Sequence, residues 1–154
     1  MLKRIILPLF FIFVFVSSVS VESAYAGLAK RSYDVEISVN NSALTTDSYP
    51  YIETSTNTTY VPIKFISEGL GESVSWNRPK QEVTIKSKNG TIVRLTVGSK
   101  VAYVNDEKKM MPNTPVMPEF PNRVMVPLRF VSEVLGATIN TTTINGTLHV
   151  DIKK

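Results

Sequence analysis

The sequence predicts an α+β domain of two similar halves, mainly antiparallel strands with two short helices. Three observations predict it. The phrase YVPIKFISEGLGESVSW at residues 60–76 returns as MVPLRFVSEVLGATINT at residues 125–141. The segments around each phrase alternate apolar and polar residues, the period of a half-buried strand. Each phrase spaces its own apolar residues as a short helix does.

The offset is 65, the separation of Val61 from Val126, of Pro62 from Pro127 and of Gly71 from Gly136. Upstream, Val39-Asn40 matches Val104-Asn105 and Pro50 matches Pro115; downstream, Val83 matches Leu148 and Ile85 matches Val150. One offset without insertion marks an internal duplication, and two copies are too few for a solenoid. Two tandem repeats are expected, at about residues 34–88 and 99–153. Each should be mainly antiparallel strands packed on one short helix, and together they fill a duplicated domain over 34–154.

In order, DVEISVN (34–40) alternates and reads as a strand, and NNSAL turns into a second short extended piece. The chain stays extended around Pro50 to PYIET, and STNTT is a polar loop. Pro62 suits the first turn of a helix, where its missing N–H costs nothing. Ile63, Ile66 and Leu70 fall at helical spacing, with Phe65 and Gly69 beside them. Gly71 fits the stop position, where φ is positive. Pro127, Leu128, Val131, Leu135 and Gly136 repeat the pattern. Helices of two or three turns cannot stand alone in water, so each must lie on a sheet. SVSWN (73–77) and QEVTIKS (81–87) read as a hairpin, and GTIVRLTVGS (90–99) as a strand joined to it through SKNG. VAYVND (101–106) opens the second half, MPNTPVMPEFPN is a proline-rich loop, and ATINTT with GTLHVDI closes the chain as a second hairpin.

The first residues stand apart from this domain. MLKR is basic, IILPLFFIFVFV is apolar, and SSVSVESAYA brings small residues at Ala24 and Ala26. That layout is a secretory signal over residues 1–26, cleaved after Ala26, with residues 27–33 as a linker. The apolar run is short for a span of about 20 residues, so no stable membrane insertion is expected after cleavage. The net charge is +4 and falls by one when Lys3, Arg4 and Glu22 leave with the signal. The basic residues are scattered, which excludes a nucleic-acid patch and supports only a weak attraction to an anionic surface. Cysteine is absent. An exported domain without disulfides points to a bacterial envelope protein, secreted or associated with the cell surface, and no lipid-bearing N-terminal cysteine is available.

Chemistry is sparse. Glu68 and Glu133 occupy equivalent places, and two carboxylates could act as acid and base. Lys64 and Glu68 are four apart on a helix, as are Arg129 and Glu133, and such pairs explain the carboxylates locally. The repeated phrase is therefore architecture: Pro62, Phe65, Glu68, Leu70 and Gly71, then Pro127, Phe130, Glu133, Leu135 and Gly136. Trp76 is the single tryptophan, and its counterpart is Thr141. It is either a stacking platform for a sugar ring or a core residue, and burial preferences favour the core. Tyr49, Tyr51, Tyr60 and Tyr103 carry the same ambiguity. Tyr49-Pro50-Tyr51 is the best aromatic cluster near a loop, so Tyr49, Tyr51 and Trp76 are the candidate binding residues. His149 is the only histidine. With no cysteine it assembles neither a copper nor a catalytic zinc centre, and no cofactor is expected. No Gly-x-Ser-x-Gly elbow and no glycine-rich phosphate loop occur, so an enzyme is not expected.

The paired phrases VPIKFISEGLG…VSW and MVPLRFVSEVLGA resemble the copper amine oxidase N-terminal-like domain, also called the stalk domain. That family's signature is a VPLRFVAEALGA.V.W phrase, commonly repeated, behind a VNG strand. Val39-Asn40-Asn41 and Val104-Asn105-Asp106 stand where the strand would. The resemblance covers residues 35–152. It implies an antiparallel sheet wrapped against a helix, here in duplicate. It implies no oxidase activity and no metal ligands, because in those oxidases copper and quinone lie in a different, C-terminal domain. It suggests an accessory role at the cell envelope.

Three functions compete. The first is a secreted, non-catalytic stalk or binding module that takes a cell-wall polymer or a surface protein. The second is a soluble inhibitor or regulator of an extracellular enzyme. The third is a small hydrolase using Glu68 or Glu133. An exposed aromatic row would favour the first, an exposed apolar patch the second, and a carboxylate cluster in a cleft the third.

Overall fold

The computed structural model describes residues 31–154. The export signal read over residues 1–26 lies outside them. The end of the expected linker is ordered: Arg31–Ser32 forms a short strand, β1, paired with Glu53 and Ile52.

Alternation becomes strand where it was read. In β2, Val35–Val39, the residues Val35, Ile37 and Val39 are buried while Glu36 and Ser38 take the other face. Asn40 and Asn41, both at positive φ, turn the chain into β3, Ser42–Ala43, as a two-residue hairpin turn requires. β4, Tyr51–Glu53, and β5, Thr58–Pro62, are the arms of a hairpin whose loop is residues 54–57; Thr58 and Thr59, read as part of the STNTT loop, belong to β5. Helix α1, Ile63–Gly69, follows without a break. Then come β6, Ser73–Asn77, β7, Glu82–Lys86, β8, Ile92–Thr96, and β9, Val101–Val104, each antiparallel to the one before.

β10, Glu107–Met110, escaped the sequence reading because its Glu-Lys-Lys-Met shows no alternation and all four residues are exposed. The Asn105-Asp106 turn, again at two positive φ values, folds it back on β9. The proline-rich segment that follows stays mostly irregular, with a single bridge from Val116 to Met125. β11, Met125–Pro127, leads into helix α2, Leu128–Val134. β12, Thr138–Ile144, and β13, Thr147–Lys153, form the closing hairpin.

Both helices stop in the same way. The Gly71 N–H donates to the Glu68 carbonyl at 2.8 Å and the Glu72 N–H to the Ser67 carbonyl at 2.8 Å. The Gly136 N–H donates to Glu133 at 3.0 Å and the Ala137 N–H to Ser132 at 2.8 Å. This is the double bond set of a Schellman stop, and Gly71 (φ 77°) and Gly136 (φ 73°) take the left-handed position it needs. The helix starts differ from expectation. Pro62 and Pro127 lie one residue outside the helices, with extended ψ of 113° at both, and end the preceding strands. Their missing N–H groups fall where the ladder gives way to the helix. The side chains of the helical phrase also differ between halves, with Phe130 buried and Phe65 half-buried. The Lys64–Glu68 pair closes at 4.0 Å on the surface, but no ion pair joins Arg129 to Glu133 among the described residues.

The sheets depart from the picture of two self-contained halves. The sheet of order β1-β4-β5-β11 joins them at its centre. There Val61 faces Val126, while Tyr60 faces Pro127 and Pro62 faces Met125. The offset of 65 exchanges each of these pairs with itself or its mate, so this ladder is locally symmetric about the Val61–Val126 pair. The other two sheets mix the halves. One has the order β10-β9-β8-β7-β6; in the other, of order β12-β13-β2-β3, β13 runs parallel to β2. The first hairpin of the chain, β2-β3, thus joins the closing hairpin β12-β13, whereas β8 stands between the β9-β10 hairpin and the β6-β7 hairpin. A main core results, filled from both helices and from β2, β5, β7, β8, β9, β11 and β13.

Candidate functional site

Trp76 sits on the outer strand β6, opposite Val83 and two residues from Val74, which faces Ile85. Period-two alternation therefore puts the indole on the core side of its sheet. The edge leaves nothing beyond it, and 39% of the residue stays exposed. Neither alternative from the sequence holds alone: the ring is half core and half surface.

The exposed part opens into a groove of about 530 Å³. Its floor is apolar, from Ile63, Val74, Val83 and Met117, and its rim carries Lys64, Arg78 and Arg123. The three cations are not equally available. Arg123 spends its fork on Asp47, with Nε donating to Oδ1 at 3.0 Å and Nη2 donating to Oδ2. That guanidinium holds the Asp47 carboxyl below its usual range. Lys64 faces Glu68. Arg78 has no ion-pair or side-chain hydrogen-bond partner among the described residues.

Tyr49 and Tyr51 do not form a surface cluster. Strand β4 begins only at Tyr51, so the two rings part company across Pro50. Tyr49 is 78% exposed and borders a second groove over β2 and β13, beside His149 and Asp151. Tyr51 is 3% exposed, stacked on Tyr60 at 5.3 Å with the Arg31 guanidinium 4.5 Å from its ring centre. A ring so enclosed offers no face to a ligand, and Tyr51 is a core residue. Tyr60 is buried with it and donates its hydroxyl to the Thr114 carbonyl. Tyr103 is exposed on β9 with the Arg94 guanidinium over its ring. Glu68 and Glu133 are exposed on their helices and line neither groove.

One carboxylate escaped the sequence reading. The Glu72 side chain is 1% exposed. It accepts from the Ser87 hydroxyl at 2.9 Å, from the Lys88 N–H at 2.8 Å and from the Lys154 ammonium. These partners lie up to 82 positions away, too distant for any local pattern to place them. Desolvation by burial pushes the Glu72 carboxyl up, but the hydrogen bonds from Lys154, Ser87 and Lys88 outweigh it and hold the group below its ordinary 4.5. A carboxylate held low in the folded state stabilises fully above the unfolded value and loses that contribution as pH falls through the folded one. Lys154→Met is therefore expected to cost about 1–3 kcal/mol at neutral pH, the scale for stranding a buried polar group. The gap between parent and variant should shrink on acidification below about 4.5. Urea melts across that range check it, and a gap independent of pH would remove Glu72 as the partner.

Fold and site together define a small α+β module with a cation-rimmed surface groove beside an exposed indole. The chain belongs to the copper amine oxidase N-terminal domain family, whose model matches residues 38–150. No curated protein matches the chain. The copper in the family's name finds no fit here. His149, the single histidine, has Nδ1 3.3 Å from Glu36 Oε2. Among the described residues no three His, Cys, Asp or Glu gather to hold a metal ion. Nor is any helix among them long and apolar enough to cross a membrane.

Proposed function

We propose that the chain is an exported, non-catalytic binding module of the bacterial cell envelope, with an anionic wall polymer as its partner. The observation that carries this reading is the Trp76 groove: an exposed indole over an apolar floor, rimmed by Lys64, Arg78 and Arg123. An amphipathic ring suits a sugar face, and the rim suits negative charge. The hydrolase reading lacks support, because Glu68 and Glu133 stand apart from both grooves. The inhibitor reading asks for a broad apolar patch; the exposed large apolar residues, such as Phe120 and Met110, lie on different elements. The recurrence of elements at an offset of 65 about the Val61–Val126 pair supports a duplicated unit that has fused into one body.

Binding through exposed charge weakens as salt shortens the screening length, from about 10 Å at 0.1 M to about 3 Å at 1 M. The protein without residues 1–26 is expected to co-sediment with purified cell wall at low salt and to be released as salt rises. Protein left wholly in the supernatant at low salt would overturn wall binding and favour a protein partner.

A further inference from the structure

We propose that the Trp76 groove is a site for an acidic sugar, a pyranose carrying a carboxylate, and that the fold builds it at only one of two places related by the offset of 65. The inference narrows the wall-binding reading and rests on it.

The repeat supplies an internal control. Every groove position has a counterpart at an offset of 65; Trp76 and Thr141 both lie on edge strands, whereas Arg78 is in a turn and Thr143 in β12, and Arg123 is in irregular chain and Thr58 in β5. Where the fold sets the residue, the counterparts agree in kind: Pro62 with Pro127, Ile63 with Leu128, Val74 with Ile139, Val83 with Leu148. They part at four groove positions, one of them Val124 against Thr59. Trp76 answers to Thr141, Arg78 to Thr143 and Arg123 to Thr58. The fold is satisfied by threonine at the matching place, so packing does not call for the indole or the guanidinium groups. What distinguishes the two places is an aromatic face and positive charge.

That chemistry selects the ligand. The flat indole, which lines the groove together with Ile63 and Met117, suits the apolar face of a sugar ring. Arg78, with its fork unspent, suits a carboxylate, which accepts two parallel N–H bonds from one guanidinium. A neutral glycan would use the ring and leave Arg78 desolvated without a partner. A polyol phosphate would use the cations and leave the ring without a face to stack on.

Trp76 is the only tryptophan, so its fluorescence reports on this groove alone. Titration with an oligogalacturonate should give a saturable change, at least tenfold tighter than with a neutral oligosaccharide of equal length or with polyglycerol phosphate. Arg78→Thr should weaken it at least tenfold. Trp76→Thr, followed by calorimetry, should abolish it. Both variants import the residue the other half already carries; Arg78→Thr should melt within a few degrees of the parent, while Trp76→Thr should melt lower because its ring is half-buried, yet still unfold cooperatively. A parent with no saturable change, equal binding of the neutral or phosphate polymer, or an Arg78→Thr variant that binds like the parent would overturn the proposal. Wall sedimentation separates the two readings. If the parent pellets and Trp76→Thr/Arg78→Thr pellets equally, this site is wrong while wall binding stands. If the parent binds oligogalacturonate but not wall, the site stands and the wall reading fails.

Discussion

Tyr51→Ala is expected to cost about 3–5 kcal/mol, the range for truncating a large buried aromatic. The ring is 3% exposed and is the hinge of a small second cluster with Tyr60 and Met125. It stacks on Tyr60 with the planes 16° apart, meets Tyr33 at 5.9 Å, and carries Arg31 over its face. Each aromatic pair adds about 0.5–1.5 kcal/mol beyond area burial. Truncation therefore removes contacts that tie β1, β4 and β5 together, and it opens a cavity under the central sheet. Burial pushes the Tyr51 phenol up to about 12, so the loss should not vary with pH in the neutral range. Tyr49→Ala is the control. Its ring is mostly in solvent, and an exposed substitution of that kind stays within about 0.5 kcal/mol. Denaturant melts of both variants decide the matter. A Tyr51→Ala midpoint equal to that of the parent would mean that the second cluster does not hold the sheet.

Leu135→Ala is expected to cost about 2–5 kcal/mol, the range for buried leucine truncation. Leu135 is 0% exposed and caps α2 at the point where Gly136 turns the chain away. Its N–H still donates to the Val131 carbonyl at 3.1 Å, so the backbone there is fixed by the helix and cannot follow a shrinking side chain. The methyl groups removed leave a void among Val126, Val131 and their neighbours in the main core. Leu70, the equivalent residue, keeps 7% exposure. Leu70→Ala should fall at the lower end of the same range, because a site that touches solvent relaxes more readily. Equilibrium urea melts with unchanged slope would report both losses as stability. If Leu135→Ala unfolds at the parent's midpoint, the second helix does not share the load of the core.

The chemistry of single residues made part of this fold legible. Val-Pro ahead of an aliphatic pattern and Leu-Gly behind it fix where each helix runs, since the glycine at positive φ completes the stop. Asn40-Asn41 marks a tight turn for the same reason, whereas the equivalent turns at Asn105-Asp106 and Asn145-Gly146 appear only in the structure. Alternation set the faces of β2, β7 and β8. The repeat placed these features twice, although Pro62 and Pro127 proved to close strands rather than open helices.

Other features depend on partners distant in the chain. Nothing local tells β2 to lie beside β13 rather than its own half, or β8 to stand between β7 and β9. Those pairings follow from burying the main core about the Val61–Val126 pair, which no period can encode. Tyr49 and Tyr51 look alike in sequence, and only the start of β4 sends one into the core and leaves the other in water. Glu72 is one more charged residue until Ser87 and Lys154 close over it. Burial preferences favour the core for Trp76 over a platform, and its place on an edge strand makes it both. The sequence by itself determined the helices, their stops and the turn at Asn40-Asn41, because those depend on φ, ψ and hydrogen bonds within a few residues. Tertiary structure decided which hairpins pair, which tyrosine is buried and which residues gather beside Trp76, because each of those depends on contacts between residues far apart in the chain.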